Sequence, residues 1–317
     1  GATGFVGSHL AELCVEKGYE VVAFDRYNPN YSYGWLEKSK YKDDINFIFG
    51  DIRDYDSVLK AMKGCKIVFH LAALIGIPYS YISPQAYIKT NVEGTYNILE
   101  SSKHLNTEQT IITSTSEVYG TARYVPIDEK HPLSAQSPYS ASKIAADQLA
   151  MSYWNSFQLP VKIIRPFNIY GPRQSSRAVI PSIIIQTLNN KNEIKLGNIY
   201  PSRDFTFVTD TCDAFLAILK MKKSFGNILN VGSNKEYTIE KIAKKIFKKL
   251  NSKVKIKKEK HRERTQKSEV ARLVCDNTQF IKHTNWKPKI NIEEGLDKTI
   301  DWLKKNKDFF KHGIYHV

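Results

Sequence analysis

The sequence predicts an α/β fold built on a parallel sheet, and two observations support this prediction. First, five short apolar runs alternate with amphipathic segments of helical spacing, which is the pattern of successive strand–helix–strand units. Second, the chain opens with a glycine-rich turn followed by a helix-like segment, an arrangement typical of nucleotide-binding loops. The chain is therefore expected to bury a parallel sheet between layers of helices.

The predicted elements follow one another regularly up to about residue 170. Strands are expected at 20–25, 45–50, 66–71, 110–114 and 161–165, and helices near 8–17, 56–63, 88–104 and 138–155. After residue 170 prolines, basic loops and short helices follow, without a comparable series of strands. We therefore expect a nucleotide-binding domain over residues 1–170 and a smaller region over residues 171–317 that is interleaved with it.

Length and composition exclude several classes of protein. The chain has 317 residues, of which 42% are hydrophobic, so it can bury a substantial core and is not disordered. No apolar run approaches the ~20 residues of a membrane span, and no secretory signal is visible, so no membrane partner is expected. The cysteines, Cys14, Cys65, Cys212 and Cys275, are scattered, and the histidines show no metal-ligand spacing. A cytoplasmic location without disulfides or metal fits best.

The excess of positive charge is confined to the last third of the chain. The formal net charge is +15, of which +14 lies in residues 221–317. Neither aromatic interleaving nor a nucleic-acid-binding motif accompanies these lysines, so we expect a solvated lysine-rich surface and no nucleic-acid partner. The apolar spacing of Ile242, Ile246 and Leu250 favours the same interpretation, since it predicts a helix with one buried face.

A phosphate-binding loop is predicted at the start of the chain. Gly1, Gly4 and Gly7 form a G-x-x-G-x-x-G pattern, in which glycines permit a tight turn and a close approach to a pyrophosphate. The helix that follows offers its N-terminal N–H groups to the anion. Asp25 ends the next predicted strand, where a carboxylate binds a ribose 2′-hydroxyl and repels a 2′-phosphate. The sequence therefore predicts NAD as the cofactor rather than NADP.

A strand normally precedes a loop of this kind, and no residue stands before Gly1. A sheet that lacked this strand would be badly exposed. We therefore expect that the first strand of the domain is missing from the sequence, which would begin inside a longer chain.

Tyr139 and Lys143 form a Y-x-x-x-K pair on a predicted helix. Pro138 suits its first turn and Ser137 suits its cap. The i,i+4 spacing places both side chains on one face, where the ammonium is expected to lower the pKa of the phenol from ~10 toward neutral. The phenolate could then accept a proton from a sugar hydroxyl as hydride leaves.

Three hydroxyls and a carboxylate stand at and directly after the end of the predicted strand at 110–114. Thr115, Ser116 and Glu117 stand at its carboxyl end, where open α/β sheets bind their ligands. Thr115 could hydrogen-bond the reacting hydroxyl, and Glu117 is a candidate general acid/base. Together with Tyr139 and Lys143, these residues form the predicted catalytic set.

The motifs together resemble the extended short-chain dehydrogenase/reductases that act on nucleotide sugars. They are GATGFVGSHL (1–10), Asp25, GDIRD (50–54), HLAA (70–73), TSTSEVYG (113–120), SPYSASK (137–143), RPFNIYGPRQ (165–174) and RDFTFV (203–208). The resemblance implies a Rossmann fold with a doubly wound parallel sheet, a smaller C-terminal substrate-binding domain and NAD as cofactor. It also implies a homodimer built through two helices of each subunit.

The triplet Thr115–Ser116–Glu117 is similar to that of the 4,6-dehydratases, but UDP-glucuronate decarboxylases also carry Thr-Ser-Glu. The segments 27–37, 165–181 and 267–277 look most like dehydratases of nucleotide-activated N-acetylglucosamine in legionaminic acid biosynthesis. The sequence departs from their pattern at Thr265 and at 29–33. A UDP- or GDP-N-acetylglucosamine 4,6-dehydratase is therefore expected, with a UDP-glucuronate decarboxylase or a nucleotide-sugar 4-epimerase as alternatives. A cofactor-sensing regulator would usually lack Tyr139 or Lys143.

The resemblance also implies which residues bind the ligands. Those expected at the cofactor are Gly1, Gly4, Phe5, Val6, Gly7, Asp25, Asp51, Ile52, Leu71, Ala72, Ala73, Tyr139 and Lys143. Those expected at the substrate are Asn168, Arg177, Arg203 and Arg264, with the arginines gripping the diphosphate. In the implied reaction Tyr139 takes the O4 proton, Glu117 removes the C5 proton, and water leaves C6 with help from Glu117 or Ser116.

Overall fold

The computed structural model describes residues 1–190, 192–221, 225–263 and 265–310. Six parallel strands form the first layer of the fold: β1 Val21–Arg26, β2 Ile45–Gly50, β3 Ile67–His70, β4 Gln109–Thr113, β5 Val161–Pro166 and β9 Asn227–Val231. They are paired in two sheets, whose spatial orders are β2-β1 and β3-β4-β5-β9. The predicted α/β fold with parallel strands is confirmed, while the strand expected before Gly1 stays a prediction.

The helices of the first half pack around these strands. They are α1 Phe5–Glu16, α2 Tyr55–Met62, α3 Ile77–Ile82, α4 Pro84–Tyr87, α5 Gly94–Leu105 and α6 Pro138–Phe157. The predicted helix at 88–104 is divided, because a π-helical stretch over Ile88–Glu93 precedes α5. Such widened turns often occur at functional sites.

The central strands are covered on both faces, as their apolar sequences predict. Ile111 and Ile112 on β4 and Ile163 and Ile164 on β5 are all fully buried. Consecutive residues of a strand point to opposite faces, so burial of both members of each pair requires helices on both sides of the sheet. Because the paired strands run parallel, their carboxyl ends lie at the same edge, where the candidate site is found.

The second half contains six further strands and five helices among the described residues. One small sheet combines β6 Asn168–Tyr170, β8 Ser202–Phe207, β10 Glu236–Thr238 and β12 Arg272–Leu273, and a second pairs β7 Glu193–Leu196 with β11 Lys255–Lys258. The helices are α7 Val179–Asn189, α8 Val208–Leu219, α9 Ile239–Lys249, α10 Thr278–Thr284 and α11 Ile292–Lys305. The prediction of no comparable strand series after residue 170 is therefore wrong, because these strands are short and β8 buries four polar side chains beside two phenylalanines.

Strand β9 belongs to the second half of the sequence but pairs in parallel with β5, from Lys162↔Asn227 to Pro166↔Val231. The second half therefore contributes an edge strand to the four-stranded sheet. The division at residue 170 stays a prediction.

The lysine-rich helix α9 has one buried face and one solvated face. Ile242 and Ile246 are fully buried, while Lys249 pairs with Asp297 of α11 at 2.8 Å. The positive charge thus lies on a solvated face that is partly neutralised by the neighbouring helix. No helix in the described part of the chain is long and apolar enough to cross a membrane.

Candidate active site

The glycine loop lies between the carboxyl ends of β1 and β3. The nitrogen of Gly1 donates to the carbonyl of Phe24 at 2.9 Å. On the other side, a Cβ atom added to Gly1 would stand 2.8 Å from the backbone nitrogen of Ala72. The loop is therefore held by backbone groups of both strand ends, and α1 begins directly after it, with Gly4 as its N-cap.

Gly7 is required by the shape of the loop itself. A Cβ atom there would lie 2.1 Å from the carbonyl oxygen of Gly1, whereas a Cβ atom on Gly4 would meet that oxygen at an ordinary 3.5 Å. The space beside Gly4 is therefore open to a ligand. The first turn of α1, with Phe5 and Val6, has backbone N–H groups without intrahelical partners, as every helix N-terminus has.

Asp25 lies at the end of β1, next to this loop. Its Oδ2 accepts hydrogen bonds from the Thr3 backbone nitrogen at 2.7 Å and the Thr3 hydroxyl at 2.6 Å, and Oδ1 accepts from the Arg26 nitrogen. Burial alone would raise the pKa of Asp25, but the hydrogen bonds from Thr3 and Arg26 oppose this effect and favour the ionised carboxylate. The carboxylate is ionised and can still accept further hydrogen bonds.

The other expected cofactor residues follow neighbouring strands. Asp51 follows β2, and its Oδ1 accepts a hydrogen bond from the Arg53 side chain at 2.9 Å. Ile52 packs against Gly94 at the start of α5, and its carbonyl accepts from Asn97. Leu71, Ala72 and Ala73 are half-buried at the end of β3. The structure thus places these residues along the edge that holds the glycine loop.

The predicted catalytic residues come together at the end of β4. Thr115 caps a short 3-10 helix over Ser116–Tyr119, and its Oγ1 accepts the Glu117 backbone N–H at 3.2 Å. The Thr115 hydroxyl is also hydrogen-bonded to the phenol of Tyr139, and Glu117 lies close enough for its charge to act on that phenol. Ser116 is buried in the same turn. The Thr115 hydroxyl and the charge of Glu117 therefore both act on Tyr139.

The expected lowering of the Tyr139 pKa is not seen. Tyr139 is buried, and burial raises the pKa of its phenol well above the ordinary value; the hydrogen bond from Thr115 opposes this effect without reversing it. The sequence-based prediction is wrong because it counted the charge of Lys143 but not the loss of water around the phenol.

Lys143 lies one turn further along α6. Its ammonium donates to the carbonyl of Thr113 at 2.6 Å, and the side chain is only 3% exposed. Burial lowers the pKa of Lys143 to about 8, while the charge of Asp147 opposes this shift. Lys143 is therefore mostly an ammonium at neutral pH and becomes an amine in mildly alkaline solution.

Asn91, in the π-helical stretch, was not among the predicted site residues. It is fully buried; its Oδ1 accepts from the Leu74 nitrogen at 2.8 Å, and its Nδ2 donates to the Leu74 carbonyl and the Ser142 hydroxyl at 2.9 Å. Ser142 precedes Lys143, so Asn91 ties the segment after β3 to α6. The regular amphipathic pattern at 88–104 concealed this polar residue within an expected helix.

Two of the expected substrate residues, Asn168 and Arg177, follow strand β5 in the sequence. Asn168 begins β6, and its buried Oδ1 has no hydrogen-bond partner among the described residues. Such an acceptor is costly unless a ligand satisfies it. Arg177 lies near Gly76 and Tyr87, and the Tyr87 ring contacts that of Tyr139 at a centroid distance of 6.2 Å. Both positions are compatible with a ligand that faces Tyr139.

Arg203 occupies a different environment from the one expected. It is buried on β8, donates to the Ser202 carbonyl at 2.9 Å, and lies 3.6 Å from the carboxylate of Glu269. Its charge is thus partly neutralised within the protein. Arg264, the remaining predicted diphosphate ligand, lies outside the described residues.

The residues at this edge fit a dinucleotide. The fit rests on the Gly7 turn, which a Cβ atom would fill, and on an ionised carboxylate at Asp25. Among the described residues, no three His, Cys, Asp or Glu side chains are grouped to hold a metal ion.

Comparison with known families agrees with this geometry. A family model described as GDP-mannose 4,6 dehydratase matches residues 1–299 of the chain. The chain belongs to the GDP-mannose 4,6-dehydratase family. Relatives in this family include human dTDP-D-glucose 4,6-dehydratase, which is 31% identical over 313 residues and aligns with 96% of this chain and 89% of its own length. A putative UDP-glucose 4-epimerase from Methanocaldococcus jannaschii is 30% identical, with 96% of this chain and 97% of the relative covered.

Solved structures of the family share the fold. DesIV, the dTDP-glucose 4,6-dehydratase of Streptomyces venezuelae, was crystallised with NAD bound; it matches 98% of this chain and 97% of its own, with a TM-score of 0.89 and 25% identity. The predicted Rossmann fold and the resemblance to nucleotide-sugar dehydratases and epimerases are confirmed. The family contains both reaction types, so the reaction of this chain has to be inferred from its own site.

Proposed function

We propose that the protein is an NAD-dependent nucleotide-sugar 4,6-dehydratase that forms a 4-keto-6-deoxy sugar nucleotide from UDP- or GDP-N-acetylglucosamine. The observation that carries this proposal is that the charge of Glu117 acts on the Tyr139 phenol from the 3-10 helix that Thr115 caps. An elimination needs a base for a carbon-bound proton in addition to the group that deprotonates the alcohol. A 4-epimerase has no elimination step and does not require this second base.

NAD is the cofactor, and the prediction of NAD is confirmed. Gly1, Gly4 and Gly7 would hold its pyrophosphate at the start of α1, and Asp25 would bind the adenosine ribose. When bound, NAD supplies a hydride acceptor for C4 of the sugar and a hydride donor for C6. A carboxylate at Asp25 disfavours the 2′-phosphate of NADP.

The alcohol at C4 would be deprotonated by Tyr139. Thr115 shares a hydrogen bond with the phenol and can hold the substrate hydroxyl against it. Burial raises the pKa of the phenol, so Tyr139 is protonated in the protein alone, and proton transfer depends on positive charge nearby. Lys143, one turn further along α6, would provide this charge.

The 4-ketone formed by this oxidation acidifies the proton on C5. Glu117 would remove that proton, and the hydroxyl on C6 would leave as water after protonation by Glu117 or Ser116. When hydride returns to C6, Tyr139 would reprotonate the intermediate. Glu117 and Ser116 stand on the same turn of the 3-10 helix, next to Thr115. One short segment thus supplies the groups for oxidation at C4 and elimination across C5 and C6.

The sugar and diphosphate would be held from the second half of the chain. Asn168 offers a buried acceptor without a partner among the described residues, which suits a sugar hydroxyl. Arg177, near Tyr87, would bind the diphosphate. Arg203 would do so only in exchange for its contact with Glu269. Arg264 keeps its proposed diphosphate role from the resemblance alone.

The proposed reaction is tested by mass spectrometry of nucleotide sugars incubated with the protein and NAD. The panel should contain UDP- and GDP-N-acetylglucosamine, dTDP-glucose, UDP-glucose, GDP-mannose and UDP-glucuronate. Loss of one water from an N-acetylglucosamine nucleotide is the expected result. Loss of water only from another sugar would keep the reaction and correct the substrate.

Two other outcomes would overturn the proposed reaction. Loss of carbon dioxide from UDP-glucuronate would assign the protein to the decarboxylases. An unchanged mass accompanied by inversion at C4, detected by chromatography of the released sugar, would assign it to the 4-epimerases.

We also propose a homodimer built through α5 and α6. These helices pack against each other, and Tyr96 on α5 is 47% exposed while Phe157 at the end of α6 is 54% exposed. Light scattering is expected to give twice the mass of the chain, and Tyr96→Glu should shift the population toward monomer because it places a charge in the interface. A monomeric parent protein at high concentration would contradict the proposal.

A further inference from the structure

A buried ion pair lies one helical turn beyond Lys143. Asp147 follows Lys143 by four residues on α6, so both side chains lie on one face of the helix. Asp147 is fully buried and Arg165 on β5 is 1% exposed. The Oδ2 atom of Asp147 accepts from Arg165 Nε at 3.0 Å and lies 2.9 Å from its NH2 group.

Stability alone does not explain this pair. Removing two charges from water is costly, and apolar residues of similar volume often replace a buried ion pair without loss of stability. In addition, Oδ1 of Asp147 is buried and has no hydrogen-bond partner among the described residues. An incompletely satisfied ion pair is a poor device for holding a core together. The pair is therefore better explained by its position beside Lys143 than by a contribution to the stability of the core.

Asp147 connects α6 with the end of β4. Its Oδ2 accepts a hydrogen bond from the Ser114 hydroxyl at 2.8 Å. Ser114 stands between Thr113, whose carbonyl holds the Lys143 ammonium, and Thr115, which is hydrogen-bonded to the Tyr139 phenol. Movement of Asp147 would consequently displace the backbone that positions both side chains.

Arg165 extends the connection to the turn that carries the proposed base. Its NH1 group donates to the Tyr119 hydroxyl at 3.0 Å, and Tyr119 in turn donates to Asn230 on β9 at 2.7 Å. Tyr119 ends the 3-10 helix that contains Ser116 and Glu117. The ion pair therefore touches α6, the end of β4 and the 3-10 helix, which are the three segments that carry the proposed catalytic residues.

The charges around Lys143 identify what Asp147 contributes electrostatically. His70 on β3 faces Lys143, but burial lowers the pKa of this histidine to about 3, so it is neutral. The Tyr139 phenol is protonated, and Arg165 is positive. Burial raises the pKa of Asp147 as well, but the charge of Arg165, the Ser114 hydrogen bond and the charge of Lys143 oppose this shift and favour the carboxylate. Among the described residues, the negative charge that acts on Lys143 against the effect of burial is that of Asp147.

We propose that Asp147 and Arg165 are positioning residues of the reaction: the pair holds α6, the end of β4 and the 3-10 helix in place. The charge of Asp147 also acts on Lys143. This inference rests on the proposed function, because it gives Lys143 its role through Tyr139. Neither residue touches the reacting atoms.

The test uses the double variant Asp147→Asn/Arg165→Gln in the full chain. Asp147→Asn alone would leave Arg165 charged, buried and unpaired, which is strongly destabilising, whereas the double variant removes both charges and keeps hydrogen-bonding groups. Removing a nearby negative charge lowers the pKa of an ammonium. We therefore expect the alkaline limb of the kcat profile to move by about one pH unit to lower pH. At pH values above the alkaline pKa of the parent, kcat of the double variant should be about 10-fold lower than that of the parent, and at pH 6.5 the difference should be smaller.

A readout without turnover separates this inference from the proposed function. Lysine labelled with ¹⁵N at Nζ reports the titration of each ammonium by NMR, and the Lys143 signal is the one lost in Lys143→Arg. In the double variant this signal is expected to titrate about one pH unit lower than in the parent. The readout remains decisive if the parent protein fails to turn over any sugar of the panel.

A matched control is the half-buried pair of Glu12 on α1 and Arg173, at 2.9 Å. The variant Glu12→Gln/Arg173→Gln removes the same two charge types away from Lys143 and should leave both the pH profile and the Lys143 signal unchanged. If Lys143 titrates in Asp147→Asn/Arg165→Gln as it does in the parent, or if the control shifts it equally, the proposal is overturned.

Discussion

Glu117→Gln is expected to lower kcat for dehydration by about 10²–10⁴-fold, the usual contribution of a general acid/base group. The substitution preserves the shape of the side chain and removes its basicity, so the C5 proton can no longer be taken. Oxidation at C4 does not require Glu117. Mixing the variant with NAD and substrate should therefore produce reduced cofactor, visible at 340 nm, without loss of water from the sugar.

Glu108→Gln is the matched control, because Glu108 is exposed and its one ion pair within the described ranges is with Lys66 at 3.6 Å. Its kcat should equal that of the parent, and isothermal titration should show NAD binding in both variants. If Glu117→Gln dehydrates the substrate at the parent's rate, Glu117 is not the base, and the elimination has to be assigned to another group.

Gly7→Ala is expected to weaken NAD binding by at least about 100-fold, or about 2.7 kcal/mol. The added methyl group would lie 2.1 Å from the Gly1 carbonyl oxygen, so the loop has to change its shape. The clash exists without a ligand, and overpacking of this kind costs about 1–3 kcal/mol of stability. Urea unfolding without NAD and calorimetric titration with NAD should both register the substitution.

Gly4→Ala separates these two effects. Its methyl group would meet the Gly1 oxygen at 3.5 Å, an ordinary contact, so the free energy of unfolding without NAD should change by less than about 0.5 kcal/mol. NAD affinity should nevertheless fall, since the methyl group points into the space proposed for the pyrophosphate. Equal affinities for NAD in Gly4→Ala and the parent would place the pyrophosphate elsewhere.

The first half of the fold was largely readable from the sequence. Strand β2 was predicted with its observed bounds, 45–50, because a compact apolar run between polar turns leaves few alternatives. Helix α6 was predicted from Ser137 and Pro138, and Ser137 indeed caps it by accepting the Ser140 N–H. These signals are local, so residues adjacent in sequence suffice to determine them.

What the sequence did not reveal depends on contacts between distant residues. Asp147 and Arg165 lie on different elements, and nothing near either one indicates that they pair in the core. The raised pKa of Tyr139 likewise results from burial, which the Y-x-x-x-K spacing does not encode. The short strands after residue 170 are stabilised by their partners, such as β12 by β8, rather than by an apolar pattern of their own.

The pairing of β9 with β5 has a consequence for how the protein is made. Residues 167–226 must be synthesised before β9 can reach the edge of the sheet, so the glycine loop and the catalytic turn precede the strand that completes their support. Until then β5 presents an open edge, which favours pairing with other chains. A gene truncated near residue 170 should consequently yield aggregates rather than an isolated cofactor-binding unit, and folding of the two halves should be cooperative during synthesis.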